Sequence, residues 1–481
     1  MHRYILFISL CVCIGIGAGS EIIPVNSGTG WDGKHYSTLA KDVDAMWANK
    51  QIDSYQFYRL LPPVCAHAVL KLFGLMPAEA HHVVNTFKWM NVLLILSMAL
   101  LFFRLCTRLQ LRKETEIVGF SALFLNFALL KQAFYYPVLT DVFAYFFGFL
   151  LIYAYLTRVK WLQFAALAAG SFTYPLFFIT GVVLFIHPES DKLRNVLIRL
   201  SMPLTWGLMS LLIVLYAAYQ INRHAFIQPQ YLMHINHTWM HVSFLLVLIT
   251  VYRLGKGFNA SLSVGSGFDY AHNTKMLLFG LLAASYWGLQ WIMATVYTIP
   301  ETVFTTQTFL LNIFQQSFSN PLAFLVFHTM YFGPVVLLVA FNYKSVLSKA
   351  STYGLAPVLF LFCYSILALG TESRQFINAW PAFVCVALLW LNSFAIKTPF
   401  AWMLVIISLA LSHFYLHINA PGIFETYQYG KFPEQYYFMH QGPFATDVSY
   451  LINMFQVIVT AVAVIALIKQ LKTNAPSMQN S

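Results

Sequence analysis

The sequence predicts an all-α polytopic membrane protein. Of its 481 residues 59% are hydrophobic and only 9% are charged, and apolar runs near or beyond the roughly 18 residues that span a bilayer recur from end to end. In hydrocarbon every backbone N–H and C=O must be satisfied within its own segment, so runs rich in Leu, Phe and Ala read as helices and not as barrel strands.

Spans are expected near 5–20, 82–104, 115–135, 137–157, 160–172, 173–187, 200–219, 240–252, 275–298, 321–342, 351–369, 376–395, 399–417 and 450–468, about 12–14 in all. The first run, "MHRYILFISLCVCIGIGAGS", has the basic start and small-residue end of a signal peptide, but a retained first helix is expected. Residues 160–187 are too few for two full crossings and contain "GSFTYP", which predicts two half-helices with Tyr174 and Pro175 at the bend. A single transmembrane domain accounts for 1–481, and no separate soluble domain is expected.

The long outer loops are 21–81, 220–239, 299–320 and 418–449. In the first, Tyr36, Leu39, Ala40, Val43, Met46 and Trp47 recur at helical spacing, as in a helix lying in the membrane interface. The loop at 418–449 is dense in Tyr and Phe, whose rings suit headgroup depth.

A net charge of +11 raises nucleic acid as a partner, but the basic clusters sort by topology instead. Arg104/Arg108/Arg112/Lys113, Arg158/Lys160, Lys192/Arg194/Arg199, Arg253/Lys256, Lys344/Lys349 and Lys469/Lys472 fall on one face if the spans alternate, and that face should be cytoplasmic. Most acids, among them Asp32, Asp42, Asp44, Asp141, Glu301, Glu372 and Glu434, fall on the other. Acid–base chemistry is therefore expected on the periplasmic or external side, and nucleic acid is not expected to bind. Of six cysteines, Cys11, Cys13, Cys363 and Cys385 lie in apolar runs, Cys106 in a basic cytoplasmic loop and Cys65 outside, with no disulfide framework or metal spacing.

Three outer turns carry the polar chemistry. "GTGWDGKHY" presents Asp32 and His35 just outside the membrane, followed by Arg59 in "YRLLPP". Asp32 is either a general base for a hydroxyl or a cap on the helix that follows. "KQAFYYPVLTDVFAYFFG" places Lys131, Tyr135, Tyr136 and Asp141 around the start of a long apolar helix, where Asp141 is either a functional acid or a cap. "ALGTESRQFINAWPAF" sets Glu372 and Arg374 between two spans, where the planar Arg fork suits phosphate oxygens unless the two simply pair with each other. His234, His237 and His241 in "HINHTWMH" have helical spacing but no accompanying carboxylate, so a metal site is not expected. Phosphate-binding glycine loops, nucleophile elbows and zinc-protease helices are absent from the sequence.

Taken together, "GTGWDGKHYSTLA", "YRLLPP", "YYPVLTDVFAYFFGFLLIYAYL" and "GTESRQFINAWPAF" resemble the GT-C superfamily of integral-membrane glycosyltransferases, across the length and span count of the chain. "WDGKHY" is similar to the W-D-x-x-H-F stretch of GPI mannosyltransferases. The resemblance implies a GT-C-like bundle with interfacial helices in the first external loop, most simply in a bacterial inner membrane with its site facing the periplasm. It implies transfer of a sugar from a polyprenyl phosphate to a lipid, glycan or protein hydroxyl, with inversion and without a metal or other cofactor. Asp32 falls on the family's catalytic acid and Asp141 on its second acid. "DVD" at Asp42 and Asp44 has the paired-acid spacing that Asp32 lacks, so Asp44 or Asp42 is an alternative base. Arg374, with Arg59 or Lys131, would stabilise the leaving phosphate, Glu372 would share the turn, and Tyr36, Tyr135, Tyr136 and Tyr174 would contact sugar.

Two other classes compete. A flippase or transporter for a lipid-linked substrate would want mid-membrane charges and paired broken helices in two related halves. An O-antigen ligase or polymerase would want Arg and His in a large late loop, and 418–449 is poor in Arg.

Overall fold

Helix follows helix along the chain, for the reason that the apolar runs demand: a lipid-facing segment has nowhere else to place its backbone hydrogen bonds. The computed structural model describes residues 1–52, 54–186, 191–221, 239–263, 288, 313, 316–419, 445 and 447–473. In order, α1 (His2–Ala18) is followed by α2 (Asp32–Ala48), the short turn Ser54–Phe57 and α3 (Leu61–Leu72). Then come α4 (Ala80–Arg108), α5 (Lys113–Phe124), a π-helical turn (Ala128–Gln132) running into Ala133–Tyr135, and α6 (Asp141–Thr157). Beyond them lie α7 (Lys160–Gly170), α8 (Phe177–Ile186), α9 (Asp191–Ile221) and α10 (Met240–Leu262). The last third holds α11 (Ala323–Phe332), α12 (Val335–Phe341), α13 (Tyr343–Ser351), α14 (Leu355–Leu367), a 3-10 turn (Ser373–Phe376), α15 (Trp380–Leu391), α16 (Thr398–Leu411) and α17 (Asp447–Thr473).

Four of the described helices are long and apolar enough to cross a membrane: α4, Leu193–Gln220 of α9, α10, and Asp447–Leu471 of α17. A fifth follows if α5 and Ala128–Tyr135, bent by 47°, make one span. Between residues 448 and 468 of α17 the exposed residues are apolar (Leu451, Phe455 and Val462 among them) while Ser449, Asn453 and Thr460 are buried. Such a polar-inside, apolar-outside surface is favourable in a hydrocarbon solvent and unfavourable in water.

Several expected spans are broken. The run 115–135 bends because Asn126 competes for backbone groups: its Nδ2 donates to the carbonyls of Ala122 (2.9 Å) and Leu123 (3.1 Å), and its Oδ1 accepts from Leu129 N (3.1 Å). Asn91 of α4 donates to Ala133 O and Pro137 O on the far side of the bend, so carbonyls freed by the break are satisfied. The run 321–342 breaks at Gly333 and Pro334, and the run 160–187 at 171–176, where Tyr174 and Pro175 sit as expected. The 200–219 run is instead a 31-residue helix with Pro203 inside it. Arg253 and Lys256, expected in a loop, lie within α10, and Cys106, also expected in a loop, is buried near the end of α4. The expected 275–298 span, apart from Gly288, and the His224, His234, His237 and His440 positions lie outside the described residues.

The two ends of α4 mark the two ends of the bundle, about 40 Å apart at 1.5 Å per residue. At one end, Arg3 grips the buried Glu116 with Nε to Oε1 at 2.8 Å and Nη2 to Oε2 at 2.9 Å, while Nη1 reaches Thr107. His2 Nε2 lies 3.2 Å from the same carboxylate. At the other end α2 and α3 lie against α4, burying Tyr36, Ala40, Ala66 and Leu70 among Val83, Phe87, Tyr135 and Tyr136. Lys88, within the expected 82–104 span, donates to Ala18 O at 3.0 Å, a cation at the C-terminus of α1.

Arg3→Ala leaves Glu116 buried with only His2, among the described residues, beside its carboxylate. Because Arg3 is itself partly exposed, the expected loss is about 1–3 kcal/mol, below the range for a fully buried pair. Thermal unfolding of the detergent-solubilised protein should show that loss, and Arg3→Met combined with Glu116→Leu should recover most of it.

Candidate active site

Asp32 is held by its glycines and by Tyr136. Gly30 adopts φ +71°, and a Cβ there would lie 2.3 Å from the Tyr136 ring, so only glycine lets the loop close onto that ring. Tyr136 Oη accepts from Gly33 N at 3.0 Å and its ring meets Trp31 edge-on. This pins the first turn of α2, from which Asp32 projects. Asp32 and Asp141 are the first residues of α2 and α6, after Trp31 and Thr140 at the cap positions, and among the described residues the side-chain bonds of both carboxylates run to Arg374. Both carboxylates therefore sit at helix N-termini, where the peptide dipoles favour negative charge, with their oxygens directed elsewhere.

They are directed to Arg374. Its Nε donates to Asp141 Oδ2 at 2.8 Å and its Nη2 to Asp141 Oδ1 at 3.4 Å, a two-pronged fork, while Nη1 lies 3.5 Å from Asp32 Oδ2. Asp141 is 4% exposed, Arg374 14% and Asp32 41%. A guanidinium has five N–H donors, and three are engaged among the described residues, which leaves one on each terminal nitrogen.

The turn that carries Arg374 is fixed from several sides. His328 of α11 spans it: a carbonyl can only accept, so Nε2 donates to Ala368 O at 2.8 Å, and Nδ1 pairs with Ser373 Oγ at 2.9 Å. Gln316 Oε1 accepts from both the N–H and the hydroxyl of Thr371. Asn378 bonds the Tyr364 hydroxyl, which also meets Thr180 of α8 at 2.6 Å. Gly148, two turns beyond Asp141 on the same face of α6, lies so close to the turn that a Cβ would stand 1.9 Å from Asn378 O. The face of α6 that presents Asp141 thus rests directly on the segment that presents Arg374.

Glu372 accepts from Gln375 Nε2 at 2.7 Å and does not form the close Glu–Arg pair that the sequence allowed. Arg59 lies 5.7 Å over the Tyr174 ring, and the Tyr174 hydroxyl feels Glu372, Arg59, Asp141 and Arg374. Burial works against the Arg374 charge, but Asp141, Asp32 and Glu372 outweigh it and hold the guanidinium pKa above its ordinary value. Burial also pushes the Glu372 carboxyl up, with Arg374 opposing and Asp32 and Asp141 adding to the rise.

The remaining candidates are placed elsewhere. Asp44 is exposed and faces His67 and Lys71 of α3 at 3.6 and 3.7 Å, and Asp42 caps the second half of the kinked α2 through Ala45 N. Of the three candidate acids Asp32, Asp42 and Asp44, Asp32 is the one beside Arg374. Lys131 is buried and bonds Leu416 O at 2.6 Å and Glu21 Oε1 at 3.3 Å. Glu21 also accepts from the backbone N–H groups of Ile418 and Asn419, and Tyr135 donates to Asn419 Oδ1 at 2.7 Å. Lys131 and Tyr135 thus belong to a clasp between the start of the first loop and the 416–419 segment. Tyr36 is fully buried among apolar neighbours, and His35 is exposed. His241, one of the three spaced histidines, meets the Tyr216 hydroxyl at 2.5 Å.

Sequence reasoning missed His328 and Tyr331. They stand three apart in "HTMYFGP", on one helix face before a break; an ionisable residue inside an apolar run is the signal that marks His328, whereas Tyr331 reads there as one more aromatic.

Chemically, the site offers one carboxylate that is accessible and only loosely held, one that is buried and forked, and a guanidinium with donors to spare. The folded chain binds the Glu372 proton more tightly than the unfolded chain does. The resulting stability is present below the ordinary value of 4.5 and is lost as pH rises through the raised one. Thermal unfolding of Glu372→Gln beside the wild type should show the wild type losing ground as pH is raised from 4 to 7; parallel curves would contradict the assigned shift. Compared with protein families, with curated proteins and with solved structures, the chain matches none of them, and the functional reading rests on the geometry of Asp32, Asp141 and Arg374.

Proposed function

We propose that this chain is a multi-pass membrane glycosyltransferase of the GT-C type, with a bundle of about 12–14 spans and its site on the periplasmic or external face. It moves a sugar from a polyprenyl phosphate to an acceptor hydroxyl on a lipid, glycan or protein. The observation that carries this reading is the meeting of Asp32 and Asp141, from two helix N-termini, on the single guanidinium of Arg374.

In the reaction the acceptor oxygen bonds to the anomeric carbon and gives its proton to Asp32. The bond from that carbon to the phosphate oxygen breaks, and its electron pair leaves on the polyprenyl phosphate. Asp32 suits the base because it is accessible and, among the described residues, makes one long side-chain contact, which leaves lone pairs for a hydroxyl. Asp141 is a positioning acid, spent on orienting Arg374. The two unused donors of Arg374 meet the charge that grows on the leaving phosphate. One-sided attack opposite the leaving group inverts the anomeric centre.

A transporter reading draws on the broken α5 and α11–α12 spans, but the charged groups of this site gather at helix ends and turns and not within the long spans. The two are separated by placing the full chain in lipid nanodiscs with radiolabelled polyprenyl-phosphate hexoses and pentoses and a bacterial lipid extract as acceptor. Wild type should transfer label, and Asp32→Asn should transfer it about 10²–10⁴-fold more slowly with donor binding retained. Arg374→Ala should raise the donor KM. Undiminished transfer by Asp32→Asn removes it as the base. Flux of intact donor across proteoliposomes with no transfer selects the transporter.

A further inference from the structure

Tyr331 is 1% exposed, and its hydroxyl has no hydrogen-bond partner among the described residues. Its ring is set by Phe332 at 4.9 Å and Phe127 at 5.6 Å, and its oxygen lies within the electrostatic reach of Asp141, Arg374, Tyr174 and Glu372. A buried phenol without a partner carries a desolvation cost that a nearby apolar Phe would avoid. A second unpaired atom belongs to the same cluster. Gln375 turns its nitrogen to the Glu372 carboxylate, which leaves its buried Oε1 with no partner among the described residues. The phenol is a donor and acceptor, whereas the amide oxygen needs a donor. A phosphate oxygen could satisfy the first and not the second; a hydroxyl group can satisfy either.

We infer that Tyr331 and Gln375 form a subsite for hydroxyl groups of the transferred sugar, which makes Tyr331 a specificity-determining residue beside the Asp32–Arg374–Asp141 cluster. The inference rests on the glycosyl-transfer reading and adds to it where the sugar is recognised. The charged groups act on the reacting bond and the phosphate, and the uncharged pair reads the ring. A site built to bond a hydroxyl discriminates strongly against an analogue that lacks it, because its own polar groups are then left unpaired.

The test uses Tyr331→Phe in the full chain, in nanodiscs, with synthetic polyprenyl-phosphate sugars and their singly deoxygenated analogues as donors. The variant should unfold at a temperature no lower than wild type, since it removes an unpartnered buried hydroxyl and keeps the ring. For the preferred sugar it should lose roughly 5- to 10-fold in kcat/KM, the worth of one neutral hydrogen bond. For one deoxy donor, the one missing the hydroxyl that Tyr331 contacts, wild type and variant should be equal. A clear drop in unfolding temperature would mean that the hydroxyl bonds within the protein, and the inference fails. Equal kcat/KM for every donor, or an equal loss for every deoxy analogue, also overturns it while the transfer reading stands. Absence of transfer by wild type from every donor overturns the transfer reading and this inference with it.

Discussion

One guanidinium holds together three parts of the chain that are remote in sequence. Arg374 stands 233 residues from Asp141 and 342 from Asp32, and it bonds both where the N-termini of α2 and α6 converge on it. Without its charge two carboxylates would face each other in partial burial, and the first loop would lose an ionic tie to the helical body. In a medium of low dielectric such a pairing is strong when made and costly when half-made, so the surrounding contacts act to keep it made. His328 and Gln316 hold the Arg374 turn, Gly148 lets α6 lie flush against it, and Tyr136 fixes the turn that presents Asp32.

The same economy governs the helix breaks. Each break releases backbone groups that lipid cannot satisfy, and each is answered by side chains or by packing inside protein. Asn126 and Asn91 serve the bend between α5 and α6. The break between α7 and α8 is tied to the first loop, where Leu61 N donates to Phe172 O and Phe57 meets Phe172 edge-on. That tie brings Arg59 over Tyr174 and so completes one wall of the site. Irregular backbone thus collects around the candidate site, and the regular spans α4, α9, α10 and α17 supply the outer surface.

Separate polar clusters divide the labour. The Arg3–Glu116 fork anchors α1 at one end of the bundle, and Glu21 with Lys131 clasps the 416–419 segment nearer the site. Both are closed sets of charges with little left to offer a ligand. The Arg374 cluster differs because it retains spare N–H donors, an accessible carboxylate, and buried polar atoms with no partner among the described residues.

The sequence by itself determined the solvent of this protein and the class of its elements. Composition and run length sufficed for that, since they follow from the requirement that backbone groups be satisfied locally. It also marked Asp32, Asp141 and Arg374, because charged residues in turns between apolar runs are conspicuous. Which residues meet was decided only by the tertiary structure. Asp42 and Asp44 lie within twelve residues of Asp32 and look equivalent in one dimension, yet helical phase and the Asp42 kink turn Asp44 toward His67 and Lys71. Lys131 and Asp141 share one turn region, but only Asp141 faces Arg374 while Lys131 is drawn to Glu21. Tyr331 sits in an apolar run where periodicity treats it as one more aromatic; its place beside the acids depends on how α11 packs against the 372–378 segment. Pairing across hundreds of residues is set by packing, and no local pattern encodes it.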